Sequence, residues 1–284
     1  MVMADKRERI RIFEETRFLC RNELALRAAI RESRSGQKII WEEDSVDAGD
    51  RCHDAPADLV ITPERTLGAA RKYLGSGKRI CALNFASSVT PGGGVINGAG
   101  SQEESICRIS TLYAAISDKE TAGAFYEKHW EMIRSGEMGR KNRDDCIFSP
   151  GIVVFREDTF DCDLLPEDEW YKVDVITCAA PDLRYDGEKT YDPEDEELRA
   201  VFEKRWRRIL SVAAQHQADI LILGAFGCGA FYNPPEISAQ AFSNIFDEFS
   251  HCFEAVEFAV FAQYEDTANY QAFSGIKGIR KLNV

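Results

Sequence analysis

The chain has 284 residues, of which 44% are hydrophobic and 29% charged, and its formal net charge is −13. This composition is typical of globular proteins, and a chain of this length can bury a large core without disulfides. No apolar run is long enough to predict a membrane span, and the charged N-terminus lacks the apolar stretch of a secretory signal. So acidic a chain is not expected to bind nucleic acid over a broad surface. An anionic ligand would have to be held locally, by backbone N–H groups.

Cysteine and histidine usage argues against disulfides and bound metal. The nine cysteines are odd in number and form no CxxC pair, and the four histidines include no pair at ligand spacing. Cys52 and His53 are adjacent, but no second half of a metal site is visible, so we interpret them as structural. These patterns predict a protein without metal or cofactor in a reducing compartment, and we expect it to be cytoplasmic.

The first 77 residues are predicted to form a charged helical extension, packed on a core of residues 78–284 in one structural domain overall. Apolar residues before residue 35 recur at helical spacing, and the residues around position 50 have the composition of a loop. The predicted elements are a helix over Arg11–Arg34, a strand at Lys38–Trp41, a loop over Ser45–Ala57 and a second helix capped by Thr62 that ends near Gly75.

From residue 79 onward, apolar strand patterns alternate with helical ones. The predicted strands are Arg79–Phe85, Ile152–Phe155, Val173–Thr177, Asp219–Leu223 and Ala255–Phe261. The predicted helices are Ser101–Ile116, Ala122–Arg134, Glu196–Gln215 and Pro235–Phe249, with polar loops over Gly136–Asp145 and Asp182–Asp195. This alternation indicates an α/β domain with a mixed, mostly parallel sheet between helices.

A glycine-rich loop follows the first strand of the core. Five glycines fall within residues 92–100, which is more than a turn requires. Such a cluster indicates unusual backbone angles or the close approach of another group. Since the loop lies between a buried strand and a helix, a merely flexible surface loop is the weaker interpretation.

Two adjacent acids, Glu103 and Glu104, begin the helix after this loop. Ser101 and Glu104 have the spacing of a capping box, and acids in a first turn also suit the helix dipole. Adjacent helical residues point about 100° apart, so the two carboxylates could instead serve different functions in a site. The pattern alone leaves both interpretations open.

A second glycine-rich loop, residues 224–235, follows the most apolar strand and precedes a helix. Backbone N–H groups in that context surround anions in phosphate loops, although the sequence fits neither common nucleotide-binding signature. Cys228 lies between two glycines, but no histidine is close in sequence to activate it as a nucleophile. Because ligands bind at the carboxyl ends of strands in open α/β sheets, we expect both loops at one ligand site.

Several segments together resemble the microbial branch of the poly(ADP-ribose) glycohydrolase family. Pro91-Gly92-Gly93-Gly94, followed after seven residues by Gln102-Glu103-Glu104, is similar to its GGG-X(6–8)-QEE signature. The other similar segments, in the expected order, are Asn84–Ser87, Ser149–Pro150 with Val154–Arg156, Ile176–Pro181 and Gly224–Gly229. The resemblance spans roughly residues 80–262 and implies a macrodomain-like fold with added helices.

The resemblance also implies roles for individual residues. Glu104 would be the catalytic acid/base, with Glu103 and Asn97 holding the ribose that reacts. Gly92, Gly93 and Gly94 would let the backbone approach that ribose and the diphosphate. The remaining substrate-binding positions that it implies are Asn84, Phe85, Ala86 and Gln102, the diphosphate loop of Gly227, Cys228, Gly229 and Ala230, and Phe231 over the terminal ribose. Tyr232 and Asp182 depart from the family pattern, so the rim of the pocket and its adenine side are expected to differ from those of the family.

The implied activity is cleavage of ribose–ribose O-glycosidic bonds in poly(ADP-ribose), mainly from the chain end, with release of ADP-ribose. Glu104 must then carry a proton for the departing oxygen, which burial by substrate and the charge of Glu103 would favour. The expected partners are poly(ADP-ribose), ADP-ribose and ADP-ribosylated proteins as substrates, with no direct nucleic-acid or membrane binding, and the protein is expected to be a monomer.

Three other functions are compatible with parts of this pattern. A macrodomain that binds ADP-ribose without cleaving it needs the two loops but not the adjacent acids. A hydrolase of single ADP-ribose marks shares the fold but lacks the pairing of three glycines with two glutamates. An acidic interaction protein with merely structural loops would show no affinity for ADP-ribose by calorimetry.

Overall fold

The structure, a computed structural model, describes residues 5–49, 53–185, 188–189, 193–262 and 267–282. Its strands are β1 (Lys38–Ile40), β2 (Asp58–Thr62), β3 (Ile80–Phe85), β4 (Cys146–Val154), β5 (Tyr171–Cys178), β6 (Arg184–Tyr185), β7 (Glu188–Lys189), β8 (Ile220–Leu223), β9 (Ala255–Ala259) and β10 (Arg280–Lys281). Eight of them form one sheet in the order β1-β4-β5-β3-β8-β9-β2-β10. The pairings are parallel except β1–β4 and β4–β5, which confirms the predicted mixed, mostly parallel sheet.

Helices cover both faces of this sheet. They are α1 (Lys6–Asn22), α2 (Leu24–Gly36), α3 (Thr66–Arg71), α4 (Gln102–Ile109), α5 (Leu112–Ile116), α6 (Lys119–Thr121), α7 (Lys128–Ser135), α8 (Asp195–Gln215), α9 (Pro235–Ile245) and α10 (Ala268–Phe273). A π-helical turn (Ala122–Glu127) joins α6 to α7, and 3₁₀ turns lie at Val95–Asn97, Glu167–Glu169 and Phe246–Phe249. No helix in the described part of the chain has both the length and the hydropathy that a membrane crossing needs.

The alternation of side chains along the central strands explains the two-sided core. Cys81 and Leu83 of β3 pack into the cluster that contains Trp206 of α8, whereas Ile80 and Ala82 belong to the cluster that contains Leu112 of α5. Both sets are buried because each face of the strand is covered by helices. β3 is therefore held rigidly where it leads into the first glycine-rich loop.

Most of the predicted elements are confirmed, with ends shifted by a few residues. The helical pattern over Arg11–Arg34 forms two helices that separate at Glu23. The loop predicted after residue 182 contains the short β6–β7 hairpin in its described part, and Cys52 lies outside the described residues. The division at residue 77 stays a prediction, although β1 and β2 of the first segment pair within the central sheet.

The helix predicted to begin at Thr62 is wrong. Thr62 is the last residue of β2, and its hydroxyl donates to the buried carboxylate of Glu257. The helix begins later, at Thr66, where the Leu67 and Gly68 N–H groups donate to Asp158 Oδ2 at 2.9 and 3.2 Å. A carboxylate about ninety residues away thus caps the helix, so local sequence did not reveal the start.

The single helix predicted over Ser101–Ile116 is also wrong. It is interrupted at Ser110, which forms a backbone bridge to Val154, while the Thr111 N–H donates to the Val153 carbonyl at 2.9 Å. The end of β4 therefore replaces the helical hydrogen bonds at this point. The resulting α4 is a short helix whose first turn carries both acids.

Candidate functional site

The sheet brings the two glycine-rich loops together. β3 and β8 are parallel neighbours, with Ile80 opposite Ile220, so both loops leave the same edge of the sheet. The rings of Phe85 and Phe226, one from each strand end, lie 5.6 Å apart. The prediction that both loops meet at the carboxyl ends of parallel strands is confirmed.

A cavity of about 790 Å³ lies between the loops. This volume is typical of pockets that enclose a nucleotide-sized ligand. Of the site residues predicted from sequence, Phe85, Gly93, Gly94, Asn97, Gln102, Glu103, Glu104, Gly227, Gly229, Ala230 and Phe231 line it. Four others, Asn84, Ala86, Gly92 and Cys228, lie behind the cavity surface.

Glu104 is buried on the wall of this cavity with one oxygen bound and the other free. Its Oε1 accepts the Gly94 N–H at 2.8 Å, and its Oε2 has no hydrogen-bond partner among the described residues. Ser101 is the N-cap residue of α4 but makes no side-chain capping bond, so Glu104 is not part of a capping box. The carboxyl group is held by the glycine loop rather than by its own helix end.

Glu103 points into the protein beside Glu104. Its Oε2 accepts the Ser87 N–H at 2.8 Å, and its Oε1 accepts from the Asn84 amide at 3.3 Å. Burial raises the pKa of Glu103 to about 8, with a smaller contribution from the neighbouring Glu104 charge. The two adjacent acids therefore occupy different environments, as the 100° turn between them predicts.

The raised pKa of Glu103 predicts a pH-dependent stability. Unfolded Glu103 ionises near 4.5, whereas the folded group ionises near 8. The contribution of Glu103 to the free energy of unfolding is complete below pH 4.5. It is lost as the pH rises toward 8, because Glu103 gives up its proton at lower pH in the unfolded state than in the folded state. We expect the free energy of unfolding of the wild type, relative to Glu103→Gln, to fall by on the order of 1 kcal/mol per pH unit across this window. Urea unfolding of both proteins measures this, and a pH-independent difference would contradict it.

Gly93 allows the loop to approach both acids. It adopts φ +55°, and a methyl group built on it would lie 2.6 Å from Glu104 Oε1 and 2.9 Å from Glu103 Oε2. Gly94 is also confined, with 2.8 Å between such a methyl group and the Ala99 Cβ. The run of glycines is thus required by a close approach within the protein, in addition to any approach of a ligand.

Two predicted binding residues, Gln102 and Asn84, use their polar side chains to build the site. Gln102 donates to the Leu83 carbonyl at 2.7 Å and to Thr66 Oγ1 at 3.1 Å, and its Oε1 accepts the Phe85 N–H at 2.9 Å. It therefore joins β3 to α3 and α4. Asn84 is fully buried against Glu103, and Ala86 is buried as well.

The second loop presents unbound backbone N–H groups to the cavity. The Gly227, Gly229, Ala230 and Phe231 N–H groups have no acceptor within the described parts of the chain. All four residues line the cavity. Clustered N–H groups without acceptors are suited to holding an anion, and the anion-binding role of this loop stays a prediction.

Cys228 does not have the surroundings of a nucleophile. Its thiol faces the core side of the loop and donates to the Phe226 carbonyl at 3.4 Å. Burial raises the pKa of this thiol well above its usual value, which disfavours the thiolate. We therefore place Cys228 in the loop as a backbone element without a chemical role for its sulfur.

With this geometry established, we compared the chain with known proteins. The family model of the microbial-type PARG catalytic domain matches residues 6–157. The crystal structure of poly(ADP-ribose) glycohydrolase from Thermomonospora curvata is similar, with a TM-score of 0.81 at 30% identity, covering 94% of this chain and 98% of that one. The chain belongs to the microbial-type poly(ADP-ribose) glycohydrolase (PARG) family.

Two further PARG structures are similar to this one. The Thermomonospora curvata enzyme bound to the inhibitor ADP-HPD has a TM-score of 0.77 at 29% identity, with 94% of this chain and 98% of that chain covered. The Deinococcus radiodurans enzyme in complex with ADP-ribose has a TM-score of 0.72 at 30% identity, with 86% and 94% covered. No curated protein matches the chain in a sequence comparison.

One departure of this PARG chain from the family pattern now has a structural explanation. Asp182 accepts two hydrogen bonds from the Arg184 guanidinium, both at 2.8 Å, and one from its backbone N–H at 3.0 Å. The guanidinium lies 4.5 Å from the centre of the Phe231 ring. Asp182 therefore fixes an arginine over Phe231 at the cavity wall. Tyr232, the other departure, is exposed and adopts φ +58°, which is uncommon for a bulky residue.

Sequence reasoning missed the far wall of the PARG cavity. Arg65 lies between the rings of Phe160 and Phe261, 4.4 and 4.5 Å from their centres, and all three line the cavity. Asp158, whose pKa burial raises, lies beside them. These residues come from separate loops, and none follows a recognisable motif.

A buried histidine supports the first loop of this PARG from below. His129 contacts the Ser88 carbonyl through Nδ1 and Asp145 Oδ2 through Nε2, both at 2.9 Å. The Ser88 carbonyl can only accept a hydrogen bond, so Nδ1 of His129 is the donor in that contact. Within the described residues, no group of three or more His, Cys, Asp or Glu side chains is arranged to hold a metal ion.

Proposed function

We propose that Glu104 of this poly(ADP-ribose) glycohydrolase is the acid that protonates the leaving ribosyl oxygen. The observation that carries the proposal is its asymmetric carboxyl group: Gly94 fixes Oε1, while Oε2 is buried without a partner at the cavity wall. A proton on Oε2 has no acceptor among the residues that the structure describes and is available to a substrate oxygen. General acids need such a fixed position within hydrogen-bond reach of the proton's destination.

The proposed reaction breaks the bond between the anomeric carbon of one ribose and the 2′-oxygen of the next unit. The Glu104 proton moves to that oxygen as the bond breaks, leaving an oxocarbenium-like ribose. Water then adds to the anomeric carbon, and the Glu104 carboxylate accepts its proton, which restores the acid. The products are ADP-ribose and a polymer shortened by one unit.

The diphosphate is proposed to bind the second loop. Hydrogen-bond donors are supplied there by the unbound backbone N–H groups of Gly227, Gly229, Ala230 and Phe231. Such donors need no lysine side chains, which agrees with local binding of an anion by a protein of net charge −13. A diphosphate held there would place negative charge near the cationic ribose and stabilise it. Asn97 and Glu103, which line the cavity beside Glu104, are proposed to hold that ribose.

The adenine is proposed to lie against Arg65, Phe160 and Phe261. Arg65 lies over both rings, which are inclined at 75° to each other, and aromatic and guanidinium groups of this kind stack with nucleobases. It belongs to the same cavity as Glu104 and the second loop, so one ADP-ribose unit can contact all three regions.

Gly229→Trp tests the diphosphate site without disturbing the fold. A methyl group built on Gly229 would meet no heavy atom within 4 Å, and the φ of Gly229 is not in the left-handed region. We expect wild-type unfolding stability but an affinity for ADP-ribose at least about tenfold lower, or about 1.4 kcal/mol, by calorimetry. Gly139→Trp is the matched control, since Gly139 is equally open and lies outside the cavity. Equal affinity in both variants would remove the second loop from the site.

We further propose that cleavage proceeds from the chain end. The cavity volume of about 790 Å³ suits a single ADP-ribose unit, so the terminal unit is the natural occupant. Early products from polymer of defined length should therefore be ADP-ribose together with polymer shortened by single units. Early fragments of intermediate length would show internal cleavage instead.

Removal of the protein-linked unit from ADP-ribosylated proteins is a separate activity that the same assay measures on a modified protein.

A further inference from the structure

A second cavity, of about 390 Å³, is lined by five arginines. Arg17 and Arg21 come from α1, and Arg27, Arg31 and Arg34 come from α2. Spacings of four and seven residues place the members of each set on one helix face, so the two faces converge on one depression. We call these five residues the arginine groove. Its lining contains no Asp or Glu among the described residues.

Three of the five arginine side chains have no partner in the described part of the chain. Arg17 pairs with Glu14 at 2.9 Å, and Arg34 binds the Ala114 carbonyl and lies 3.7 Å from Asp118. For the side chains of Arg21, Arg27 and Arg31, the structure shows no hydrogen bond or ion pair within the residues that it describes. All three side chains are exposed, so their donors are available to a ligand.

The charge of this region is opposite to that of the rest of the protein. Residues 1–36 contain nine Lys or Arg and six Asp or Glu, a net charge of +3, so residues 37–284 carry −16. Convergent guanidinium groups repel one another, and a bound anion relieves that repulsion. The planar donor array of arginine matches phosphate oxygens in particular.

The arginine groove lies close to the first glycine-rich loop. Arg9, earlier on α1, donates to the Gly98 carbonyl at 2.7 Å, and Arg17 follows eight residues later, about 12 Å along the helix. Tyr113 lines the groove, and a methyl group on Gly92 would lie 2.7 Å from its ring. One side chain thus separates the groove from the loop that holds Glu104.

We infer that the arginine groove binds diphosphates of the poly(ADP-ribose) chain that leaves the active site. The inference rests on the proposed function, which places the bond between two units at Glu104, and Glu104 is held by the loop that packs against Tyr113 of the groove. Each further unit brings one diphosphate, and a phosphate-rich chain matches unpaired arginines on an otherwise acidic protein. The groove then adds affinity for polymer without adding affinity for single ADP-ribose.

Neutralising Arg21, Arg27 and Arg31 together to Gln tests this inference. The measurement uses the Glu104→Gln protein, so that polymer persists, and compares its Kd for end-labelled polymer with its Kd for ADP-ribose. We expect the triple change to weaken polymer binding at least about tenfold, to make its salt dependence shallower, and to leave ADP-ribose affinity unchanged. The control neutralises Arg134, Arg199 and Lys277 to Gln, which changes the total charge equally outside both cavities.

The outcomes separate the groove from the proposed function. Equal polymer affinity in the triple variant and the control would overturn the groove assignment while ADP-ribose binding still supports the active site. If the triple variant also lost affinity for ADP-ribose, the groove assignment would be overturned. It would likewise be overturned if the parent protein bound single-stranded RNA with the same number of phosphates more tightly than it binds polymer. Failure of the parent protein to bind ADP-ribose at all would instead refute the proposed function. Unfolding midpoints of both triple variants verify that each is folded.

Discussion

Glu104→Gln is expected to lower the rate of ADP-ribose release from polymer by on the order of 10³-fold, about 4 kcal/mol in the barrier. The amide oxygen can still accept the Gly94 N–H, as Glu104 Oε1 does at 2.8 Å. The amide nitrogen takes the place of Oε2, and its N–H hydrogens are too weakly acidic to be transferred to a leaving oxygen. Because the loop and the cavity are unchanged, ADP-ribose affinity by calorimetry should stay within a few-fold of the wild type.

Glu104→Asp is the companion variant. It retains an acid but shortens the side chain, so the bond to Gly94 is lost and the proton lies farther from the cavity. We expect a rate between those of Glu104→Gln and the wild type, since a displacement of about 1 Å can cost about 10²-fold. Wild-type turnover in Glu104→Gln would refute the assignment of the acid.

Gly93→Ala is expected to abolish most activity while the protein still folds. The added methyl group would lie 2.6 Å from Glu104 Oε1 and 2.9 Å from Glu103 Oε2, so both carboxyl groups must move. The positive φ of +55° adds strain of about 1 kcal/mol for alanine. We expect turnover on polymer to fall by about 10²-fold or more, because the acid leaves its fixed position.

Gly136→Ala isolates the effect of backbone strain. Gly136 ends α7 with φ +79°, and a methyl group there would meet nothing within 4 Å. Gly136→Ala should therefore lose only the free energy of backbone strain and keep its turnover, whereas Gly93→Ala should be destabilised more and lose turnover, because its methyl group also displaces both carboxyl groups. Undiminished turnover in Gly93→Ala would show that the close approach of loop and acids is unimportant.

The sequence predicted the parts of the site that arise from local patterns. Alternating strands and helices placed both glycine loops at one sheet edge, and the pairing of β3 with β8 confirms it. The run from Gly92 to Gly94 predicted close approach, which Gly93 makes to the two acids. The capping interpretation of Glu104 could be rejected only with the side-chain bond to Gly94 in view.

Features that depend on distant residues could not be predicted from the sequence. Asp158 caps α3, so the local N-cap pattern at Thr62 misplaced that helix. Arg65 and Phe160 reach the cavity from separate loops. The structural role of Asp182 could be recognised only from its hydrogen bonds with Arg184. In each case the decisive partner lies elsewhere in the fold or has no motif of its own.

The role of Glu104 as acid is tested most directly by varying the leaving group. An aryl glycoside of ADP-ribose, whose phenolate departs without protonation, should be hydrolysed by Glu104→Gln far closer to the wild-type rate than polymer is. We predict a loss of about 10³-fold on polymer and of no more than about tenfold on the aryl substrate. Equal losses on both substrates would contradict proton transfer from Glu104 to the leaving oxygen.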